Sequence, residues 1–112
     1  MKTTLTLATL LGAILINLPA AQAADAAAAE ALAKKEGCLK CHAVDKKKDA
    51  ISLKDIGKKY AGKPDAESKI LNQIKTSMKV KLEDGTEEEH KVVKTKDKAE
   101  LANMIQWILS LK

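Results

Sequence analysis

Two cysteines separated by two residues, with a histidine directly after the second, constrain this chain more than any other feature: Cys38-Leu39-Lys40-Cys41-His42. This spacing is the pattern by which a c-type haem is attached. Each thiol can form a thioether with a different vinyl group of one porphyrin, and the histidine can place its imidazole on the iron. The motif therefore predicts one covalently bound haem c, with Cys38 and Cys41 as attachment residues and His42 as the proximal iron ligand.

Three other chemistries use the same pair of cysteines. A disulfide between Cys38 and Cys41 is chemically allowed in an oxidising compartment. A thioredoxin-like dithiol has the same spacing, but in a β-α-β setting that a helical sequence lacks. Zinc needs four ligands, and the chain offers two cysteines and two histidines, with His90 far from His42 in sequence. Haem attachment is the favoured interpretation, and the other three stay open.

The first residues have the pattern of a secretory signal peptide. Lys2 precedes an apolar run at 10–16, and the small-residue triplet Ala21-Gln22-Ala23 follows it. The apolar run is shorter than the roughly 20 residues that a membrane-spanning helix needs. The sequence thus predicts a signal peptide over residues 1–23, cleaved after Ala23 or Ala24. A single periplasmic domain over residues 24–112, without a membrane anchor, is expected.

A domain of this length needs an additional source of stability, because a hydrophobic core alone is marginal at this size. Tyr60 and Trp107 are the only aromatic residues besides the histidines, so large flat side chains cannot fill the interior. A buried planar cofactor would supply the missing apolar volume. Composition therefore favours the same interpretation as the cysteine motif.

All basic residues are lysines, and the 20 lysines against 15 acidic residues give the chain a net charge of +5. Nucleic-acid binding is disfavoured, since arginine and stacking aromatics are missing. Lysines suit docking with redox proteins that carry acidic surfaces. Candidates for such a rim are Lys40, Lys46, Lys47 and Lys48, although a merely solvated loop explains them equally well.

Hydrophobic periodicity predicts four helices. The first two span 25–37 and 53–60, the third begins at Pro64, and the fourth runs from Lys96 to the end. Met78 could extend the apolar face of the third helix. Between the last two, a turn at 83–86 predicts a short hairpin flanked by 80–82 and 92–93. The fold class predicted is all-α with one irregular connection, and Met104 is expected in the core.

Several segments resemble the small bacterial class I cytochromes c of the c551/c552 type. They are 30–45, which contains the cysteine motif, then 54–56 and 58–62, and finally 105–111, which contains Trp107. The likeness covers most of the predicted mature domain. It implies a class I cytochrome c fold, a few helices around one haem, with the first and last helices packed across each other.

The sequence departs from this family at both faces of the expected haem. Those cytochromes have a Gly-Pro pair that supports the proximal histidine, whereas this chain has Ala50-Ile51, which leaves the support of His42 an open question. In those cytochromes, a loop brings a methionine to the distal face. Counted back from Trp107, the position of that methionine falls within a residue of His90 in this chain. We therefore predict ligation by His42 and His90.

Other outcomes at the distal face are a solvated His90 beside an open iron site, or ligation by Met78, Lys91 or Lys81. A second imidazole stabilises ferric iron better than a thioether does. The sequence thus predicts a single-electron carrier of lower potential than His/Met relatives, and not an enzyme. The alternative is a haem protein that binds or senses carbon monoxide or nitric oxide at a labile or open sixth position.

Overall fold

The computed structural model describes residues 23–112, so the predicted signal peptide lies outside the described residues, apart from its last residue. Four helices and one short hairpin follow in chain order. They are α1 (Ala26–Lys35), a 3₁₀ turn (Cys38–Lys40), α2 (Leu53–Tyr60), α3 (Ala66–Lys75), β1 (Lys79–Lys81), β2 (Glu87–Glu89) and α4 (Lys98–Ser110). The chain is mostly helical, as predicted, with a small sheet added.

Side-chain caps fix where three of the helices begin. Asp25 accepts a hydrogen bond from the N–H of Ala28, and Ser52 accepts one from the N–H of Asp55. Asp97 accepts two at the start of α4. Such caps satisfy amide groups that the first helical turn leaves without partners. The boundaries of these helices therefore follow from local hydrogen bonds made by residue types that can be identified in the sequence.

The core forms where α1 and α4 pack across each other, as the resemblance implied. Ala29 and Ala33 present small side chains that are fully buried, which lets the two helices approach closely. On α4, a broad stripe of buried residues faces α1, α2 and α3: Leu101, Met104, Ile105, Trp107 and Ile108. Met104 is 1% exposed, in agreement with its predicted core position.

Helix α2 lies against the end of α4 at a glycine. A Cβ atom on Gly57 would overlap the carbonyl oxygen of Ile108 and lie 2.6 Å from that of Leu111. Only hydrogen fits between the two backbones at this point. The close approach fixes α2, and with it the loop between Cys41 and Leu53, against the core.

The hairpin differs from the prediction in its second strand. Strand β2 is Glu87–Glu89, not 92–93, and it pairs antiparallel with β1 so that Lys79 faces Glu89 and Lys81 faces Glu87. Opposite charges across the pair stabilise it, whereas Val93 is a buried core residue. Helix α3 also ends at Lys75, so Met78 does not extend its apolar face. Within the described residues, no helix is long and apolar enough to span a membrane.

Candidate haem site

A cavity of about 860 Å³ opens between the helices and the hairpin. Its lining includes the whole predicted site, namely Cys38, Cys41, His42 and His90. Apolar core residues close its inner wall: Leu53, Ile70, Ile74, Met104 and Ile108. The volume lies within the range of roughly 300–1,000 Å³ that small-molecule and cofactor sites occupy. The chain therefore brings its two cysteines and both its histidines to one largely apolar space.

The proximal histidine is held by backbone. Nδ1 of His42 lies 2.6 Å from the carbonyl oxygen of Ile51. A carbonyl only accepts hydrogen bonds, so Nδ1 carries the proton and Nε2 keeps its lone pair for a metal. The N–H of Ala50 donates to the carbonyl of Cys41 at 3.0 Å, which fixes the loop that carries the carbonyl of Ile51. Ala50-Ile51 thus supplies the support that the missing Gly-Pro pair left in question.

The attachment cysteines follow α1 directly. Gly37, with φ of 79°, ends the helix in the left-handed conformation, and Cys38 begins the 3₁₀ turn. Both cysteines are free thiols and half-buried. Burial raises the pKa of the Cys38 thiol, opposed in part by a hydrogen bond from its own backbone. A pair of thiols that lines the cavity suits thioether formation with a porphyrin held there.

The predicted distal ligand, His90, lies in the segment after β2. The N–H of His90 donates to the carbonyl of Met78 at 2.7 Å, which anchors it to the residue preceding β1. Its Nδ1 is buried and has no partner at hydrogen-bonding geometry. Burial lowers the pKa of His90, the nearby His42 lowers it further, and the backbone of Lys91 acts in the opposite direction. The surroundings of the half-buried His90 thus disfavour the charged form of its imidazole.

The distance between the two imidazoles fits one metal ion between them. Their ring centroids lie 6.5 Å apart, with the planes tilted by 53°. Metal–nitrogen bonds of about 2.0 Å on opposite sides, with about 1.2 Å from each nitrogen to its ring centre, would give a separation of about 6.4 Å. The residues present thus fit a haem iron between His42 and His90. Residues 23–112 contain no group of three or more His, Cys, Asp or Glu side chains that could hold a metal ion.

The remaining candidate ligands are placed differently. The side chain of Met78 is half-buried and does not line the cavity. Lys81 and Lys91 do line it, but both are exposed. Among the four candidates, the half-buried His90 lines the cavity and places its ring 6.5 Å from that of His42. Sequence reasoning missed the carbonyl of Ile51, because a backbone group carries no residue-type signal.

Residues 26–112 match the family model described as "Cytochrome c". The chain belongs to the cytochrome c family. It is 34% identical over 90 residues to cytochrome c-552 of Hydrogenobacter thermophilus, which covers 74% of this chain and 81% of that protein. Membership shows that this cytochrome carries one covalently bound haem c, as the cysteine motif predicted.

Two solved structures confirm the class I fold. The class 1 cytochrome MtoD from Sideroxydans lithotrophicus ES-1 is 46% identical with a TM-score of 0.75, covering 80% of this chain and 98% of MtoD. Cytochrome c552 of Nitrosomonas europaea is 34% identical with a TM-score of 0.58, covering 74% of this cytochrome and 99% of that chain. The predicted architecture of helices around one haem is confirmed.

Proposed function

We propose that this cytochrome is a periplasmic single-electron carrier whose haem iron is held by His42 and His90. The observation that carries the proposal is the 6.5 Å separation of the two imidazole rings across the cavity. The lowered pKa of the half-buried His90 supports it, since a ligand histidine must offer a lone pair. The predicted signal peptide supports the periplasmic location.

Each residue of the site has a separate task. Cys38 and Cys41 hold the cofactor covalently, and Ile51 orients His42 while raising its basicity. His90 closes the sixth position. When bound, haem c supplies a one-electron couple. The chain would contribute two imidazoles and the apolar walls of the cavity.

The proposed ligand pair determines whether the reduction potential lies above or below that of relatives with a methionine ligand. A second imidazole is a better donor than a thioether, so it favours ferric iron and lowers the potential. Glu88 and Glu89 line the cavity and bring negative charge to the same side. Negative charge favours the more positive, oxidised centre. Both effects make this cytochrome more reducing than relatives with a methionine ligand.

The partners that we propose are periplasmic redox proteins with acidic surfaces. Exposed lysines stand around the cavity mouth: Lys40, Lys59, Lys81 and Lys91. Lys40 was expected there, but Lys47 pairs with Glu83 at 2.7 Å and Lys48 donates to the carbonyl of Leu39 at 3.2 Å. These contacts favour the mouth lysines over the 46–48 loop as the docking rim. We propose no substrate chemistry, since no side chains at the cavity form a nucleophile with its base.

A second candidate function follows from the Nδ1 of His90. Because this atom has no partner, nothing fixes the ring as Ile51 fixes that of His42. A less firmly held ligand could be displaced by carbon monoxide or nitric oxide, which is the behaviour of a sensor. The carrier is favoured because the ring of His90 already lies 6.5 Å from that of His42 across the cavity.

Carbon monoxide added to the reduced protein tests both functions. In a carrier with a firm sixth ligand, the spectrum changes only slowly after mixing, whereas His90→Ala binds carbon monoxide at once. Met78→Leu is the matched control and should behave like the parent. Rapid, complete binding by the parent would contradict the carrier and support the sensor. Haem staining after denaturing electrophoresis confirms that each variant carries covalent haem.

A further inference from the structure

The segment that presents His90 has no secondary structure of its own. Residues 90–97 connect β2 to α4 without helix or strand. Two backbone hydrogen bonds anchor its beginning: His90 donates to the carbonyl of Met78 at 2.7 Å, and Val93 donates to that of Ile74 at 2.8 Å. Since the ring of His90 gains no hydrogen bond at Nδ1, its position depends on how firmly this segment is held.

Lys75 holds the segment from the side of α3. Its Nζ donates to the carbonyl of Val93 at 2.9 Å and to that of Thr95 at 2.6 Å. Lys75 is half-buried in the last turn of its helix, where a charge needs partners to offset lost hydration. Two carbonyls of an irregular segment supply them. These are charge-assisted bonds, which are stronger than neutral ones.

Glu36 holds the same segment from the side of α1. Its carboxylate accepts hydrogen bonds from the N–H of Lys94 at 2.6 Å and from that of Thr95 at 3.2 Å. Glu36 caps the C-terminus of α1, two residues before the attachment residue Cys38. Both backbone groups of Thr95 are thereby bound by charged side chains of opposite sign, one on each side.

We propose that Glu36 and Lys75 are positioning residues that keep His90 on the haem iron, and we call these two residues and the 93–95 backbone the Thr95 clamp. The inference rests on the proposed ligation by His90. The clamp ties the distal segment to α3 and to the stretch that carries the proximal attachment motif. It thus fixes the distal ligand relative to the proximal face, which compensates for the missing contact at the Nδ1 of His90.

The rate of carbon monoxide binding to the reduced holoprotein tests the clamp, because binding at saturating gas requires the distal ligand to leave. Lys75→Met keeps the length of the side chain and removes its donors. We expect binding about tenfold faster, from the loss of charged hydrogen bonds. Lys75→Arg should restore much of the parental rate. Lys69→Met is the matched control on α3, since Lys69 makes only an exposed pair with Asp65.

Glu36→Ala removes the contacts from the side of α1. It tests the clamp by itself if Lys75→Met does not yield a holoprotein. It should also bind carbon monoxide faster, and amide hydrogen exchange at Lys94 and Thr95 should speed up. Glu30→Ala, at an exposed position of α1, is its control. Faster amide exchange with a parental binding rate in both variants would overturn the proposal, because the contacts would then stabilise the fold only.

Failure of the ligation itself gives a different result. If His90→Ala bound carbon monoxide no faster than the parent and kept its ferric spectrum, the proposed function would be wrong. If His90→Ala bound the gas at once but the two clamp variants matched their controls, the ligation would stand and the clamp would be wrong.

Discussion

The imidazole rings of His42 and His90 face each other across the cavity with their centroids 6.5 Å apart, yet the protein holds only one of them by its second nitrogen. Nδ1 of His42 donates to Ile51, while the buried Nδ1 of His90 lacks a partner. The pair is therefore asymmetric. We expect His90 to leave first whenever a competing ligand enters, with the segment behind it governing the rate.

Replacing His90 by methionine should restore the ligand type that the family resemblance implies. A thioether favours ferrous iron, so the potential of His90→Met should rise by about 100 mV or more, a modest part of the roughly 0.8 V that axial ligands span. Spectropotentiometric titration measures the change. Met78→Leu, which alters a side chain outside the cavity lining, should stay within the error of the parent. An unchanged potential in His90→Met would mean that residue 90 is not a ligand.

In the acidic strand β2, Glu88 should affect the reduction potential more than its neighbour Glu87 does. Glu88 lines the cavity opposite Val80, whereas Glu87 lies opposite Lys81 and does not line it. A charge about 10 Å from the iron in a water-like dielectric contributes about 0.4 kcal/mol, or about 20 mV. Glu88→Gln should raise the potential by about that much and Glu87→Gln by less. Equal shifts, or a shift that survives in high salt only for Glu87→Gln, would contradict this placement.

Gly57→Ala should destabilise the protein through packing alone. The added methyl group would meet the carbonyl oxygens of Ile108 in α4 and of Leu111 just after it, which cannot yield without displacing the end of the helix. Overpacking of this kind costs about 3 kcal/mol. Guanidinium unfolding followed by far-ultraviolet circular dichroism measures the loss. Lys58→Ala, the exposed neighbour in α2, should change the free energy of unfolding by less than about 0.5 kcal/mol.

Removing the cap of the last helix should have a smaller effect. Asp97 accepts hydrogen bonds from Ala99 at 2.9 Å and Glu100 at 3.1 Å. Asp97→Ala leaves these amides to solvent and should cost about 1 kcal/mol, whereas Asp97→Asn should keep most of the stability. The same unfolding experiment checks both variants. Equal losses in the two would show that charge and not hydrogen bonding makes the cap effective.

Local chemistry made the helices predictable. Caps and apolar spacing gave α2 its bounds and placed α1 and α4 to within a few residues. The hairpin was misplaced because Val92 and Val93 have high β-propensity. In the structure, Val93 packs into the core and three glutamates form the strand instead, with Glu87 and Glu89 opposite lysines of β1.

The site was predictable wherever side-chain type determines the chemistry. The cysteine motif specifies attachment and a proximal histidine, and a second histidine near the methionine position pointed to the other face. The support from Ile51 and the clamp on Thr95 could not be predicted, because they depend on backbone groups brought together by the fold. The spacing of residue types along the chain does not predict such contacts.

A low-temperature electron paramagnetic resonance spectrum of the ferric protein tests the central claim most directly, since it distinguishes two imidazole ligands from an imidazole and a thioether, and both from an open position. With His42 and His90 on the iron, the parent should give a single low-spin signal of the bis-histidine type, and His90→Ala should convert it to high spin. A histidine–methionine signal in the parent, or a high-spin one, would contradict the account.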